Sequence, residues 1–380
     1  ALRRRSLLDV PEDGDAATYR LHRVTQAVIR RRLGDEARRW AETAAAVVAA
    51  GYPAGGDRHP AYPQNWPACR RRNGQVAALH VLPPALRPEC TAMDVLYNQA
   101  GIYFSVQRQD ALALAYAEAY LRLKESRPVP DQCDLNVGYG NLAVRLGRAG
   151  RLEEAEAAAA RAVELGTEAA MPAADRAIDL SNHGARLQAL GAQALAEEAR
   201  EALFDRARRR FHEALRLDRN EHGVPSRDVA NRLNNIGGLH STAGRTGKAL
   251  VLWRAALSMR RRLVAAGRMD AADPALGYSL NNLGSALLRA GQPVEAAPLL
   301  EEGLALWRAA HDAENPQHPY TGGTARWLAV CLATLHRLEG GAARGDMVRA
   351  LCADYGRDPA GVEQAAAQLA EAARAREGTG

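Results

Sequence analysis

Apolar and small residues recur along most of the chain at spacings of three and four, the period that places side chains on one face of an α-helix. The pattern is itself repeated. A tetrad ending in a small residue appears as Tyr97-Asn-Gln-Ala100, Gly140-Asn-Leu-Ala143, Ser181-Asn-His-Gly184, Asn234-Asn-Ile-Gly237 and Asn281-Asn-Leu-Gly284, at intervals of 43, 41, 53 and 47 residues. A degraded copy, Arg326-Trp-Leu-Ala329, follows another 45 residues on.

Each copy predicts two amphipathic helices. Three residues after the small one stands Tyr103, Leu146, Leu187, His240, Leu287 or Leu332. A glycine then predicts a turn in four copies: Gly150, Gly191, Gly244 and Gly291. The second helix carries Ala155, Ala249 or Ala296 twelve residues after the small position, followed by Ala159 and Ala162, Trp253 and Ala256, or Leu300 and Gly303. Small residues let two helices approach, and a larger side chain fills the gap beside them. In the third copy the matching Ala207, Phe211 and Ala214 come eleven residues late. Eleven residues are about three helical turns. An insertion over 192–202 therefore lengthens this hairpin while keeping its packing faces in phase.

These spacings resemble the tetratricopeptide repeat. The period near 42, the Asn-Asn-Leu-Gly string and the proline-bearing links at Pro225, Asp273-Pro274 and His318-Pro319 resemble its kinesin-light-chain subclass. The resemblance implies an all-α fold, a tetratricopeptide-repeat superhelix (an α-solenoid) of about six helix pairs over residues 91–340. Stacked neighbours would cover one another's apolar faces. Residues 341–380 read as carboxyl-terminal capping helices.

The amino end differs. Ser6–Val10 and Thr18–His22 flank Pro11-Glu-Asp-Gly-Asp15, which predicts a short β-hairpin. A helical run, Arg23–Leu33, follows. Gly34 ends it and Asp35 can cap the next helix, whose apolar positions are Ala37, Trp40, Ala41, Ala44, Val47 and Val48. A Gly/Pro/Tyr-rich loop over 51–65 precedes a helix opening at Trp66-Pro67 and ending near Pro83-Pro84. Residues 35–90 thus read as a helical linker. The hairpin with Leu21-His22-Arg23-Val24-Thr25-Gln26 resembles the end (1–34) of the winged-helix domain in STAND-type NTPases of the NB-ARC class. By that resemblance His22 would sense nucleotide state in a longer parent, whose absent domain would bind ADP or ATP with Mg²⁺. Arg23 stands where the family carries an acid. The same resemblance implies signal transduction in bacterial defence, oligomerisation on activation, and that the sequence is a carboxyl-terminal piece.

Composition narrows the chemistry. All but two of the 50 basic residues are Arg, the exceptions being Lys124 and Lys248, and the formal net charge is +6. The runs Arg3–Arg5, Arg30–Arg32, Arg70–Arg72, Arg208–Arg210 and Arg260–Arg262 are interleaved with acids and lack stacking aromatics, so they read as solvated helix faces. No apolar run reaches the ~18 residues that span a membrane, and no signal peptide is evident, so a cytoplasmic location is expected. The five cysteines are scattered, without Cys/His ligand spacing, so no metal or cofactor is expected in this region. Gly244-Arg-Thr-Gly-Lys248-Ala249 lacks the spacing of a phosphate-binding loop and falls on a repeat turn. No enzyme motif emerges, and the region is expected to be non-catalytic.

The candidate binding residues come from the repeat register. Two before the small residue stand Asn98, Asn141, Asn182, Asn235 and Asn282, and one position earlier stand Asn234, Asn281 and Arg326. A carboxamide offers two donors and an acceptor. Such a ladder suits gripping a peptide backbone in a concave groove. It suits equally well hydrogen bonding between adjacent helices. The favoured expectation is a ligand-sensing, protein- or peptide-binding repeat region of a STAND NTPase. A constitutive peptide-docking scaffold without a nucleotide switch, and nucleic-acid sensing through the arginine faces, stay open.

Overall fold

The computed structural model describes residues 8–9, 20–21, 32–222, 225–311, 319–340 and 342–377. The chain divides into two compact units, Ala1–Tyr103 and Phe104–Gly380.

In the first unit, β1 (Leu8–Asp9) and β2 (Arg20–Leu21) pair antiparallel as Leu8↔Leu21 and Asp9↔Arg20. The remaining residues before 32, His22 included, lie outside the described part of the chain, and the winged-helix expectation for 1–34 finds no support in these four residues. Gly34, at φ +47°, opens a single 3₁₀ turn, Gly34–Glu36. Helix α1 (Ala37–Gly51) then starts from Glu36, which contributes no side-chain cap. Its expected apolar face is not buried: Ala37, Ala41 and Val48 are half-buried and Trp40, Ala44 and Val47 stand exposed, while the buried residue, Ala45, lies outside the expected set. Helix α2 (Trp66–His80) begins with Pro67 in its first turn, where a missing N–H costs nothing. Trp66 is buried and donates its Nε1–H to the Pro60 carbonyl at 3.2 Å.

Helix α3 (Thr91–Val106) runs across the division between the units. The second unit continues with α4 (Asp110–Glu125) and then helix pairs: α5 (Gln132–Arg148) with α6 (Leu152–Glu168), α7 (Ala173–Gln193) with α8 (Glu197–His222), α9 (Arg227–Thr242) with α10 (Thr246–Ala265), and α11 (Pro274–Arg289) with α12 (Pro293–His311). Helix α13 (Pro319–Glu339) packs against α14 (Ala342–Asp354) and α15 (Pro359–Glu377). From α4 to α14 each helix packs on the next in sequence, and α15 packs back on α13, so the unit is a stack of hairpins.

Sequence explains the ends of these helices. Asp131, Ser226 and Asp273 cap α5, α9 and α11 by accepting the N–H of Asp134, Val229 and Ala275 at 3.0, 3.1 and 2.8 Å. Gly150, Gly244 and Gly291 make the tight turns inside three pairs at φ between +72° and +80°. The string around Lys248 therefore belongs to the turn between α9 and α10. Gly191 corrects the expectation of a fourth turn glycine. It lies inside α7, and a Cβ there would fall 2.7 Å from Phe204. Because α7 and α8 are longer than the helices of other pairs, at 21 and 26 residues, the reversal occurs beyond Gln193, and Gly191 serves close packing instead.

The core follows the small–large rule. A Cβ would meet Phe211 at Gly184 (2.9 Å), Trp253 at Gly237 (2.7 Å) and Leu300 at Gly284 (2.8 Å). Those aromatic and aliphatic side chains lie directly over bare helix backbone, at the dense packing of protein interiors. A buried ion pair, Arg232–Asp218 at 2.7 Å, ties α9 to α8.

Candidate functional site

Two kinds of helix alternate in the stack, and they do not neighbour alike. The first helices of successive pairs touch one another: α5 meets α7, α7 meets α9, α9 meets α11 and α11 meets α13. The second helices make no comparable contact with each other. First helices therefore crowd on the inner side of the stack and second helices splay on the outer. A shared inner face composed of α5, α7, α9, α11 and α13 results.

Register decides what this face presents. Six residues before the small position stand Val137 on α5, Ile178 on α7, Asn231 on α9 and Tyr278 on α11. Val137, Ile178 and Tyr278 are 39%, 48% and 36% exposed although each sits on a helix packed on both sides. Equivalent residues of consecutive repeats line up, so Val137 and Ile178 are neighbours in a row that the polar Asn231 interrupts before Tyr278. Exposed apolar side chains arranged in line are a feature of binding surfaces.

At the far end of that row, Tyr278 joins an aromatic cluster. Its ring centroid lies 5.0 Å from Trp307 and 4.9 Å from Tyr320, and Trp307 stacks on Tyr320 at 5.4 Å. Burial, then the neighbouring Tyr320, pushes the Tyr278 phenol well above the ordinary tyrosine range, so it stays a neutral donor. Trp307 packs on Gly277, where a Cβ would come within 2.8 Å.

The asparagines divide into two groups. Asn235 on α9 donates to Ser181 Oγ on α7 at 3.0 Å, and Asn282 on α11 donates to Asn234 Oδ1 on α9 at 3.1 Å. Thr324 on α13 donates to Asn281 Oδ1 on α11 at 3.2 Å. Asn234, Asn235, Asn281 and Asn282 are thus engaged in a line of side-chain hydrogen bonds that joins successive first helices. Asn141 Oδ1 accepts from Arg145 Nη1 at 3.1 Å within α5. Asn182 is half-buried and makes no hydrogen bond among the described residues. Arg326 is exposed on α13. Asn98 belongs to the first unit, on the part of α3 before the division, and is half-buried. His22 lies outside the described residues.

In the runs 208–210 and 260–262, four arginines are partnered. Arg208 pairs with Asp205 at 3.1 Å, Arg210 with Glu213 at 3.4 Å and Arg261 with Glu302 at 2.5 Å. Arg260 is buried, donating to Asn231 Oδ1 at 2.6 Å and to Ser279. Among the described residues no group of three or more His, Cys, Asp or Glu converges as a metal site. None of their helices is long and apolar enough to cross a membrane.

Sequence reasoning passed over Val137, Ile178 and Tyr278. Counting six back from each small residue, as was done for two and three, gives Asp94, Val137, Ile178, Asn231, Tyr278 and Gly323, which contains the three exposed apolar residues.

Residues 229–266 and 276–320 match the family model described as Tetratricopeptide repeat. No curated protein matches the chain. Among solved structures, a Rap protein complexed with Competence and Sporulation Factor aligns with TM-score 0.54 at 12% identity, over 83% of this chain and 81% of that one. The Rap conjugation gene regulator of the plasmid pLS20, solved in complex with the Phr* peptide, aligns with TM-score 0.51 at 13% identity, over 90% and 96%. BtubC (BKLC) from P. vanneervenii aligns with TM-score 0.45 at 22% identity, over 66% and 92%. The chain is similar to the two Rap proteins in fold.

Proposed function

We propose that the second unit is a peptide-binding repeat scaffold whose ligand lies along the inner face of α5, α7, α9, α11 and α13. The observation that carries this reading is the row Val137, Ile178 and Tyr278, apolar and exposed at one repeat position. An extended segment would set alternate side chains against that row. Asn182 and the remaining donors of Asn235 and Asn282 would hold its backbone carbonyls. The fold shared with the Rap regulator that is solved with the Phr* peptide supports the same reading. The scaffold needs no catalytic group to do this.

A finer placement, as the ligand-sensing arm of a STAND-type signalling NTPase, rests on the resemblance at Leu21-His22-Arg23. In that role the ligand would shift an equilibrium by binding one arrangement of the parent more tightly than the other. A phosphate-binding loop in the upstream coding sequence is the result expected from it. A gene without one would leave the constitutive scaffold.

The test uses peptides selected from a random library against the whole chain. Ile178→Asp or Tyr278→Asp should weaken their binding tenfold or more, measured by fluorescence anisotropy. Val251→Asp, on the exposed surface of the outer helix α10, should leave it unchanged. Equal losses in all three would refute the inner-face site.

A further inference from the structure

The lengthened hairpin ends in an apolar tip. Past the small residue, α5, α9 and α11 end five positions on, at Arg148, Thr242 and Arg289, whereas α7 continues to Gln193. Those four extra residues add about 6 Å. At the reversal Leu195 is 97% exposed, more than any other large apolar side chain among the described residues. Ala192, Ala196 and Ala199, close by in the chain, are exposed too. Such a patch on a surface marks a contact site more often than a scattered leucine does. The turn beneath it is held in place, because Arg200 donates to the carbonyls of Ala194 and Leu195 at 3.3 and 3.4 Å. Glu197 and Glu198 follow, both exposed and without an ion pair among the described residues.

The splay of the second helices leaves a groove elsewhere on the same unit. It lies between α10 and α12, has a volume of about 470 Å³ and is floored by Leu257, Leu283 and Leu299. Two ion pairs cross it, Arg254–Glu295 at 2.9 Å and Arg261–Glu302 at 2.5 Å. Seven residues of α10 separate them, so the window between is about 10 Å long. Ser258 stands exposed at its edge. Arg262, on the rim, meets Ser258 Oγ at 3.5 Å and no carboxylate among the described residues. An apolar floor beside an unpaired cation is complementary to an apolar tip followed by two acids.

The tip and the groove of one chain point apart. Gln188 on α7 donates to Thr242 at the end of α9 at 2.8 Å, and Glu201 on α8 pairs with Arg245 in the α9–α10 turn at 3.1 Å. The tip therefore projects beyond that turn. Helix α10 runs back from the turn in the other direction, and Ser258 lies twelve residues, about 18 Å, along it from Thr246. A tip that fills the groove thus comes from another copy.

We propose that the chain self-associates head to tail, the Leu195 tip of one copy seated in the α10–α12 groove of the next, with Glu197 and Glu198 against Arg262. The two surfaces differ, so every pair keeps one free tip and one free groove. The contact then propagates instead of stopping at a symmetric dimer. A single knob buries far less than the ~1,200 Å² of a stable complex. The association is accordingly reversible and concentration-dependent. It requires no peptide on the inner face.

Sedimentation velocity of the whole chain between ~10 μM and ~1 mM tests this. The weight-average coefficient should rise with concentration through dimers to longer species. Leu195→Asp and Ser258→Trp, both at exposed positions, should each weaken association at least tenfold. The first spoils the tip and keeps the groove, and the second fills the groove and keeps the tip. Mixed one to one, they should form a heterodimer as tightly as parent copies pair, and nothing longer. Circular dichroism confirms folding, and Arg262→Glu, which sets like charges together, replaces Ser258→Trp if the latter fails to fold. A chain that stays monomeric to ~1 mM would overturn the proposal, whether or not a foreign protein enters the groove. So would association that either variant leaves intact, or two variants that do not combine when mixed.

Discussion

The side chain of Asn282 on α11 donates to the side-chain oxygen of Asn234 on α9 at 3.1 Å, so two asparagines of neighbouring repeats hold each other. Asn235 does the same toward Ser181. A carboxamide at this position therefore joins repeats whether or not a ligand is present. Asn282→Ala should cost about 1 kcal/mol of stability, the net value of one such bond. Asn182→Ala removes no hydrogen bond among the described residues. It should leave the urea midpoint within experimental error and weaken selected peptides several-fold. Urea unfolding and peptide titration of both variants check the split. A stability loss in Asn182→Ala as large as that in Asn282→Ala would contradict it.

Arg108 holds a left-handed backbone conformation at a cost in stability. Arg108→Gly removes the Cβ that makes φ +58° unfavourable and loses a single partly exposed ion pair to Asp110. Such pairs contribute little, while relief of left-handed strain is worth about 1 kcal/mol. The variant should be more stable by about 0.5–1 kcal/mol. Thermal unfolding reads the difference, and a loss of stability would contradict the strain argument.

Asp179 on α7 carries a built-in pH dependence. Burial raises its carboxyl to about 6, against the opposing hydrogen bond from Asn136 Nδ2 at 2.7 Å, and Asp175 adds to the rise. The folded chain thus holds this proton more tightly than the unfolded chain, whose aspartate titrates near 3.8. The contribution is most favourable below about pH 4, falls as pH rises through the window to about 6, and is flat above it. Asp179→Asn removes the penalty. Relative to the parent it should gain stability progressively between pH 4 and 6, reaching about 3 kcal/mol at pH 7. Paired urea titrations across that range check the slope, and a constant difference would exclude the assignment.

Glycine substitutions should diverge in sign. A Cβ at Gly237 would press on Trp253 at 2.7 Å, whereas Gly323 on α13 has open space around it. Gly237→Ala gains helix propensity but overpacks the core, and should lose about 1 kcal/mol net. Gly323→Ala should gain about 0.5–1 kcal/mol. Thermal unfolding followed by Trp253 fluorescence compares the two.

Much of the packing was legible because it is local. Gly237 with Trp253 and Gly284 with Leu300 share one spacing, and Phe211 reaches Gly184 because eleven extra residues preserve helical phase. Asp273-Pro274 was legible as a link between repeats, and the structure adds that Asp273 caps α11. Features that depend on how repeats neighbour one another were not. The exposure of Val137 and Ile178 follows from first helices crowding on one side. Arg186 reaches the last turn of α5 at Gly147 through a contact across 39 positions of chain. Gly191 resembled a turn residue until the lengthened hairpin carried the reversal past it. Trp40 and Val47 show the limit of periodicity, since an apolar stripe marks a face without stating what covers it.

The central claim is that a peptide occupies the face made by the first helices of the repeats. Site-specific photo-crosslinking tests it most directly. A benzophenone amino acid at position 178, on the inner face, should crosslink a selected peptide in a way that unlabelled peptide suppresses. The same probe at position 251, on the outer surface of α10, should yield no adduct. Competed crosslinking from 251 with none from 178 would contradict the account.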